Sequence, residues 1–126
     1  MKTSSCKAKG RNFQKWVAQK VSEVLHIPWG YEDDKEIQPR IMGQKGSDVV
    51  LRGLARKKFP FDIECKATET FHIYADIAQA QVNTAPGRNW LLFHKKNRSL
   101  PIVIMNAELF FKILASTRNL DFNLKK

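Results

Sequence analysis

SDVVLRGLARKKFPFDIECK, at residues 47–66, contains two runs rich in β-branched and aromatic residues, joined by a basic connection. The runs at 47–51 and 59–66 favour strands. Because side chains alternate along a strand, the second run is expected to present one apolar face and one charged face. The apolar face comprises Phe61, Ile63 and Cys65, and the charged face comprises Asp62, Glu64 and Lys66. The apolar face suits a core covered by a helix.

Helical patterns flank these two strands along the sequence. Apolar residues recur at helical spacings over residues 11–25, which predicts a helix. The polar segment 31–46 is interpreted as a loop with one short edge strand. Downstream, the sequence predicts a helix over 73–84, strands over 90–94 and 101–105, and a last helix over 107–117 capped by Asn106. The order helix-strand-strand-helix-strand-strand-helix predicts an α/β fold with a central mixed β-sheet flanked by helices.

Length and composition narrow the class of protein. A chain of 126 residues is expected to form a single domain, here with a basic tail over about residues 1–9. No apolar run approaches the roughly 18 residues needed to span a bilayer, and the amino end has no secretory h-region. Two cysteines are too few for a disulfide framework or a thiolate metal site. The sequence therefore predicts a soluble protein of a reducing compartment such as the cytoplasm.

The charge is strongly positive and unevenly distributed. Lys and Arg number 22 against 12 Asp and Glu, which gives a net charge of +10. A small domain with this charge usually binds a polyanion, either nucleic acid or an anionic membrane surface. Each basic run taken alone can also be a solvated surface. The residues expected to share one binding footprint are Lys9, Arg11, Lys15, Arg52, Arg56, Lys57, Lys58, Lys95, Lys96 and Arg98.

The charged face of the second strand carries the residues that could bind a metal ion or take part in a reaction. If the two strands pair as a hairpin, Asp48 is expected beside Glu64, with Lys66 nearby. Two convergent carboxylates suit Mg²⁺, which binds hard oxygen ligands and relies on water and substrate phosphates for the rest of its shell. In the absence of metal, Lys66 is expected to be charged and ion-paired with both carboxylates. On the residues alone, an exposed salt bridge explains this pattern equally well.

GSDVVL followed by FPFDIECK resembles the two central motifs of the PD-(D/E)XK nuclease superfamily, particularly small phage-encoded, Holliday-junction-resolvase-like endonucleases. The resemblance covers about residues 9–105 and implies a restriction-endonuclease-like core of helix, three-stranded meander, helix and strand. It also implies that Asp48 and Glu64 bind Mg²⁺, which Mn²⁺ could replace, with help from the Cys65 carbonyl. Lys66 would be the catalytic lysine.

Two glutamines are further candidates for the catalytic site. The resolvase-like branch opens with Lys-Gly and then an acid in the first helix; Lys9-Gly10 is present here, but Gln14 occupies the position of the acid. The proline that usually precedes the first acid is replaced by Ser47. Gln81 continues the stripe of Ile73 and Ile77 and is expected to face the sheet, as a glutamine of this helix often does in related nucleases. The alternatives are a helix-terminal amide for Gln14 and a buried, backbone-bonded amide for Gln81.

The resemblance implies a Mg²⁺-dependent DNA endonuclease, selective for the structure of branched DNA. A homing or restriction-type endonuclease of the same fold is one alternative, and a basic nucleic-acid-binding module without catalysis is another. Because cutting both strands needs two sites, a homodimer is expected, with the last helix or Trp29 and Tyr31 at the interface. If the protein is phage-encoded, it would act in the host cytoplasm. His72 and His94 are either proton-transfer groups or, more commonly for histidines so placed, boundary or phosphate-contacting residues.

Overall fold

Nine helices and strands make up the computed structural model over residues 3–41 and 45–117, the part of the chain that it describes. In chain order they are α1 (Thr3–Leu25), β1 (Ile37–Pro39), β2 (Val49–Leu51), α2 (Gly53–Lys58), β3 (Phe61–Lys66), α3 (Ile73–Val82), β4 (Asn89–His94), β5 (Ile102–Ile104) and α4 (Ala107–Ser116).

The strands form one mixed sheet in the order β1-β2-β3-β4-β5. The pairs β1/β2, β2/β3 and β4/β5 are antiparallel, whereas β3 and β4 are parallel, with Glu64 opposite Leu92 and Lys66 opposite His94. A parallel neighbour requires a crossover connection, and α3 provides it. The α/β fold with a central mixed sheet flanked by helices is therefore confirmed.

Helix α1 covers one face of the sheet because its apolar stripe has helical spacing. Phe13, Val17 and Val21 are buried together with Ile63 of β3. The helix begins at Thr3, well before the expected start at residue 11, so residues 3–9 of the expected basic tail are helical. Thr3, Ser4 and Ser5 are weak helix formers and Gly10 costs about 1 kcal/mol relative to alanine, and a long helix tolerates these costs.

The basic connection between β2 and β3 is a short helix rather than a simple turn. Gly53 adopts φ +54°, which favours glycine, at the start of α2. The Glu36 carboxylate, directly before β1, accepts a hydrogen bond from the Ala55 backbone N–H at 2.9 Å. This carboxylate satisfies a free N–H of the first turn from a position 19 residues away in the chain.

The second face of the sheet carries a buried ion pair. Asp62 is 7% exposed, and its carboxylate accepts hydrogen bonds from the Arg88 guanidinium at 2.7 Å and the Ala85 N–H at 2.8 Å. Arg88 also donates to the carbonyls of Phe59 and Phe61. A buried charge is tolerated only when it is paired and hydrogen-bonded in this way. The network fastens the α3–β4 connection to β3, close to Glu64.

The carboxyl-terminal elements follow the predicted pattern. The Asn106 side chain accepts hydrogen bonds from the N–H groups of Glu108 and Leu109, so the expected cap of α4 is confirmed. No residue of α4 is buried, and Phe111 is 64% exposed. Within residues 3–41 and 45–117, no helix has the length and apolar character needed to cross a membrane.

Candidate active site

Asp48 lies beside β3 because both its backbone and its side chain bond to that strand. Its backbone N–H donates to the Ile63 carbonyl at 2.8 Å, and its Oδ2 accepts from the Cys65 N–H at 2.7 Å. Val49, the next residue, pairs with Ile63 and is buried against α1. Since side chains alternate, Asp48 lies on the opposite face of the sheet from Val49. The hairpin thus brings Asp48 to the charged face of β3, as the sequence pattern predicts.

Glu64 lies on the same face and is almost completely buried, with 4% of its surface exposed. Its Oε1 accepts a hydrogen bond from the Asn83 side-chain amide at 3.2 Å. Asn83 is the C-cap residue that directly follows α3. The carboxylate is therefore held between the sheet and the carboxyl end of α3.

The two carboxylates oppose each other's ionisation. Burial, and after it the nearby Asp48 charge, raise the pKa of Glu64 to about 7 against the lowering effects of Asn83 and Lys66. Burial also raises the pKa of Asp48, against the Cys65 N–H and the positive charges of Lys66 and Arg40. A cation bound between the two would stabilise both in their charged form.

Lys66 is close to this pair but is hydrogen-bonded elsewhere. Its ammonium donates to the Gln79 Oε1 of α3 at 2.9 Å. Its charge lowers the pKa of both Asp48 and Glu64, yet within the described residues it forms no ion pair with either at 4.0 Å or less. The expected direct ion pair is therefore wrong, because Gln79 provides a neutral acceptor that holds the ammonium at the edge of the site.

Helix α3 supplies site residues other than the expected one. Gln81 is exposed and makes no side-chain hydrogen bond within the described chain, so its expected approach to the sheet is wrong. At about 100° per residue, Gln79 lies about 40° from Asn83 around the helix axis, whereas Gln81 lies about 160° away. The stripe from Ile73 to Gln81 advances in steps of four, and each step drifts about 40° from the face on which it began.

Gln79, Asn83 and Asp76 are the functional candidates that the sequence pattern missed. Gln79 holds Lys66, Asn83 holds Glu64, and the half-buried Asp76 raises the pKa of Glu64. A usable signal was present, because these three residues recur at spacings of three, four and seven, which places them on one helix face. All three are polar, so a search for apolar periodicity passes over them.

Gln14 and the Cys65 side chain are less closely involved with the two carboxylates than the resemblance implies. Gln14 is half-buried on α1 and lines a hollow of about 200 Å³ with Arg40, and it makes no hydrogen bond to Asp48 or Glu64 in the described chain. Cys65 points its thiol into the core, where burial and the two carboxylates raise the pKa of the thiol well above its usual range. Cys65 therefore contributes through its backbone, and its carbonyl as a metal ligand stays a prediction.

The basic residues divide between two ends of the hairpin. The Lys95 N–H donates to the Lys66 carbonyl at 2.9 Å, so the expected basic run at 95–98 lies at the same end of the sheet as Lys66. Helix α2, with Lys57 and Lys58 exposed, joins the opposite ends of β2 and β3.

Two arginines of the expected footprint have structural partners. Arg52 donates to the Lys35 carbonyl and the Gln38 side chain, and Arg56 lies 3.9 Å from Asp62. Lys9, Arg11 and Lys15 project from α1 and are exposed. A single continuous footprint is therefore not what the fold presents.

The two candidate histidines contact neighbouring residues or solvent rather than the carboxylate pair. His94 is 5% exposed, its Nε2 lies 3.0 Å from the Thr68 carbonyl, and its ring stacks on Phe71 at 4.0 Å. His72 is exposed and immediately precedes α3. Neither histidine has a hydrogen bond to Asp48 or Glu64 in the described ranges, and their roles stay a prediction.

Asp48 and Glu64 are the residues that could hold a divalent cation. In the described ranges, no group of three or more His, Cys, Asp or Glu residues is placed to hold a metal ion. Each carboxylate has one oxygen fixed by an N–H donor, and the described chain supplies no hydrogen bond to the other oxygen. Two carboxylates with free oxygens suit Mg²⁺, which completes its shell with waters and phosphate oxygens.

No protein-family model matches the chain, and the searches against curated proteins and solved structures also give no match.

Proposed function

We propose that this protein is a Mg²⁺-dependent DNA endonuclease that hydrolyses phosphodiester bonds. The observation that carries the proposal is the arrangement of Asp48, Glu64 and Lys66 on one face of the β2–β3 hairpin. Asp48 is fixed by the Cys65 N–H, Glu64 by Asn83, and Lys66 by Gln79. Each group that would bind metal or substrate is thus held in place by a neutral hydrogen-bonding partner.

The electrostatics of the carboxylate pair support metal binding. The pKa of Glu64 is about 7 and that of Asp48 is also raised, so the pair is costly to ionise in the absence of a cation. When bound, Mg²⁺ supplies the Lewis acidity that lowers the pKa of a coordinated water and offsets negative charge on the phosphate. Asp48 and Glu64 would hold the ion through the oxygen that is not engaged by an N–H donor.

Lys66 has the position needed to act on the scissile phosphate. Its ammonium is neighbour to both carboxylates but is bonded to Gln79, so it is not neutralised by a direct ion pair. The ammonium would orient the attacking water or stabilise the negative charge that develops on the phosphate. Gln79 would keep the ammonium directed at that point.

The connectivity is consistent with the resemblance of the sequence motifs. Helix α1 precedes the antiparallel meander β1-β2-β3, and α3 then leads to β4, which is parallel to β3. This is the order of helix, three-stranded meander, helix and strand that the PD-(D/E)XK resemblance implies. The agreement supports a restriction-endonuclease-like arrangement as part of the proposal.

A binding module without catalysis fits the site less well. Two carboxylates on a surface that faces phosphate would repel DNA unless a cation lies between them. The half-buried Lys95 and the exposed Lys96 lie at the same end of the sheet as Lys66 and would bind the DNA backbone there. Because so small a domain has little surface for reading bases, we propose recognition of branched DNA by shape, with a homodimer to cut two strands.

The experiment compares a labelled synthetic four-way junction with a linear duplex of the same arm sequences. Each is incubated with the protein in Mg²⁺ and in EDTA, and products are resolved on a denaturing gel. The proposal predicts cleavage in Mg²⁺ only, faster on the junction. Cleavage of both substrates at equal rates would contradict the selectivity for branched DNA, and the absence of cleavage in Mg²⁺ and in Mn²⁺ would contradict the nuclease itself.

A further inference from the structure

A cavity of about 300 Å³ lies where β3 and β4 end, on the side of the sheet covered by α1. Its volume is at the lower end of the range of small-molecule sites, about 300–1,000 Å³. The polar and aromatic residues that line it are Lys9, Asn12, Phe13 and Trp16 of α1, Glu69 of the β3–α3 connection, and Lys95 and Asn97 of the β4–β5 turn. None of them belongs to the carboxylate site.

The segments that form the walls of the cavity are hydrogen-bonded to each other and to the end of β3. The Glu69 carboxylate accepts a hydrogen bond from the Asn97 N–H at 2.7 Å, which ties the β3–α3 connection to the β4–β5 turn. The Lys95 N–H donates to the Lys66 carbonyl at 2.9 Å. Ala67, which directly follows Lys66, also lines the cavity. The cavity and the proposed active site therefore share the end of β3.

Trp16 gives the cavity an aromatic wall. Its side chain is 38% exposed, although it belongs to the helix whose other aromatic residue, Phe13, is buried. The two rings are nearly parallel, with centroids 6.0 Å apart, so Phe13 supports the indole from the core side. The Lys20 ammonium lies 5.5 Å from the Trp16 centroid. The Lys20 side chain is 53% exposed and is not part of the cavity lining, so a planar ligand that stacks on the indole would compete with it for the ring.

The lining of the cavity combines two lysines, Lys9 and Lys95, with one carboxylate, Glu69. A nucleotide matches this combination, because its phosphate can lie near the lysines while its neutral ring meets the carboxylate. Glu69 has one oxygen bonded to Asn97 and a second that can accept from an amino group. Carboxylates accept hydrogen bonds from the exocyclic amino group of cytosine, which thymine lacks.

We propose that this cavity binds one unpaired nucleotide of the DNA strand that passes the active site, with its base stacked on Trp16 and its amino group bonded to Glu69. The inference rests on the proposed function in taking DNA as the ligand, and it deepens that function by naming the substrate class. The preferred substrate is a branch or bulge that offers an unpaired base, cytosine before thymine, next to the scissile phosphate.

The test measures binding to three labelled duplexes by fluorescence anisotropy in EDTA. One duplex is fully paired, one carries a single unpaired cytosine, and one carries a single unpaired thymine at the same position. Stacking of one base on an aromatic side chain corresponds to about a fivefold or larger gain in affinity. We expect the unpaired-cytosine duplex to bind at least fivefold more tightly than the paired duplex, with a smaller gain for thymine. Equal dissociation constants for all three would overturn the proposal.

Variants separate the cavity from a general preference for bent DNA. Trp16→Leu should remove the gain from the unpaired base, Trp16→Phe should keep part of it, and Lys112→Ala, on α4 and outside the cavity lining, should keep all of it. A gain that survives in folded Trp16→Leu would overturn the role of the cavity. Glu69→Gln leaves the indole in place and does not depend on the folding of the Trp16 variants, and it should equalise the gains for cytosine and thymine. A persistent preference for cytosine in Glu69→Gln would overturn the contact with Glu69.

The outcome is distinguishable from failure of the proposed function, because binding in EDTA does not require cleavage. Normal Mg²⁺-dependent cleavage with equal binding of the three duplexes overturns the cavity proposal alone. A Trp16-dependent preference without cleavage in Mg²⁺ supports the cavity proposal and overturns the nuclease.

Discussion

Glu64 combines deep burial with an incomplete set of partners. It is 4% exposed, and in the described chain only one of its two oxygens accepts a hydrogen bond, from Asn83. Asp48 nearby adds a second carboxylate, held by the Cys65 N–H. An arrangement built for stability alone would pair such a carboxylate with a cation, as Asp62 is paired with Arg88 on the same face. The contrast between Asp62 and Glu64 is the residue-level argument for an external cation.

The raised pKa of Glu64 predicts how the stability of the metal-free protein depends on pH. Burial, with a contribution from Asp48, raises the pKa to about 7 from 4.5. The folded state therefore binds more protons than the unfolded state between these values, so the free energy of unfolding falls as the pH rises from about 4.5 to about 7. The loss attributable to Glu64 is at most about 3 kcal/mol.

Urea unfolding in EDTA at about pH 4 and about pH 8 measures this effect in wild type and in Glu64→Gln. We expect Glu64→Gln to lose less stability over this interval than the wild type, since it has no proton to release. Equal losses in the two proteins would contradict the raised pKa.

The contact of Lys66 with Gln79 predicts a loss of rate rather than of binding in Lys66 variants. We expect Lys66→Ala to reduce single-turnover cleavage by about two to four orders of magnitude, the range for one acid–base or electrostatic group. Lys66→Arg should not restore the rate, because a guanidinium is planar, larger and does not give up its proton. DNA affinity in EDTA serves as the control and should change little. A Lys66→Ala rate within a few-fold of wild type would reduce Lys66 to a surface residue.

Among the helices and strands, α3 is the one that organises the proposed site. It connects the parallel strands β3 and β4 and presents Gln79 and Asn83 to the charged face of the sheet. We expect Gln79→Ala to slow cleavage by about tenfold or more, because the ammonium of Lys66 loses the acceptor that orients it. Gln81→Ala is the matched control on the exposed side of the same helix and should cleave at nearly the wild-type rate. The opposite ranking in single-turnover cleavage would restore the sequence-based assignment of Gln81.

The strands and their faces could be predicted from sequence because alternation is a local property. The alternation of side chains along residues 61–66 is sufficient to place Glu64 on the face of β3 that points away from the core under α1. The pairing with the neighbouring strand then places Asp48 beside Glu64. Helix α2 could not be predicted in this way, since its first turn is completed by Glu36 from 19 residues away. Gln79 and Asn83 were missed because a polar helix face has no apolar periodicity to reveal it.

For the molecule as a whole, the charge of +10 is divided between surfaces that the fold separates. Lys95 and Lys96 lie at the Lys66 end of the sheet, and Lys57 and Lys58 lie on α2 at the other end of the β2–β3 hairpin. The affinity of the protein for DNA should fall steeply with salt, with log K decreasing by about 0.9 per decade for each phosphate contact. Replacing Lys95 and Lys96 together by alanine should flatten that slope more than replacing Lys57 and Lys58.

The two double variants remove the same charge, so the comparison isolates position. Binding of a labelled duplex is measured over a range of salt concentrations in EDTA. Equal slopes for the two variants, or a larger effect at Lys57 and Lys58, would show that the DNA path runs along α2 instead.

We propose that a metal-dependent phosphodiesterase site lies at Asp48 and Glu64. Its most direct test is single-turnover cleavage of a labelled four-way junction in Mg²⁺ by wild type, Glu64→Gln and Glu108→Gln, at equal occupancy of DNA by protein. Glu108 is an exposed carboxylate of α4, so its variant repeats the change of charge and shape away from the site. We expect wild type and Glu108→Gln to cleave the junction, and the cleavage rate of Glu64→Gln to be lower by at least about three orders of magnitude. Cleavage by Glu64→Gln at the rate of Glu108→Gln would contradict it.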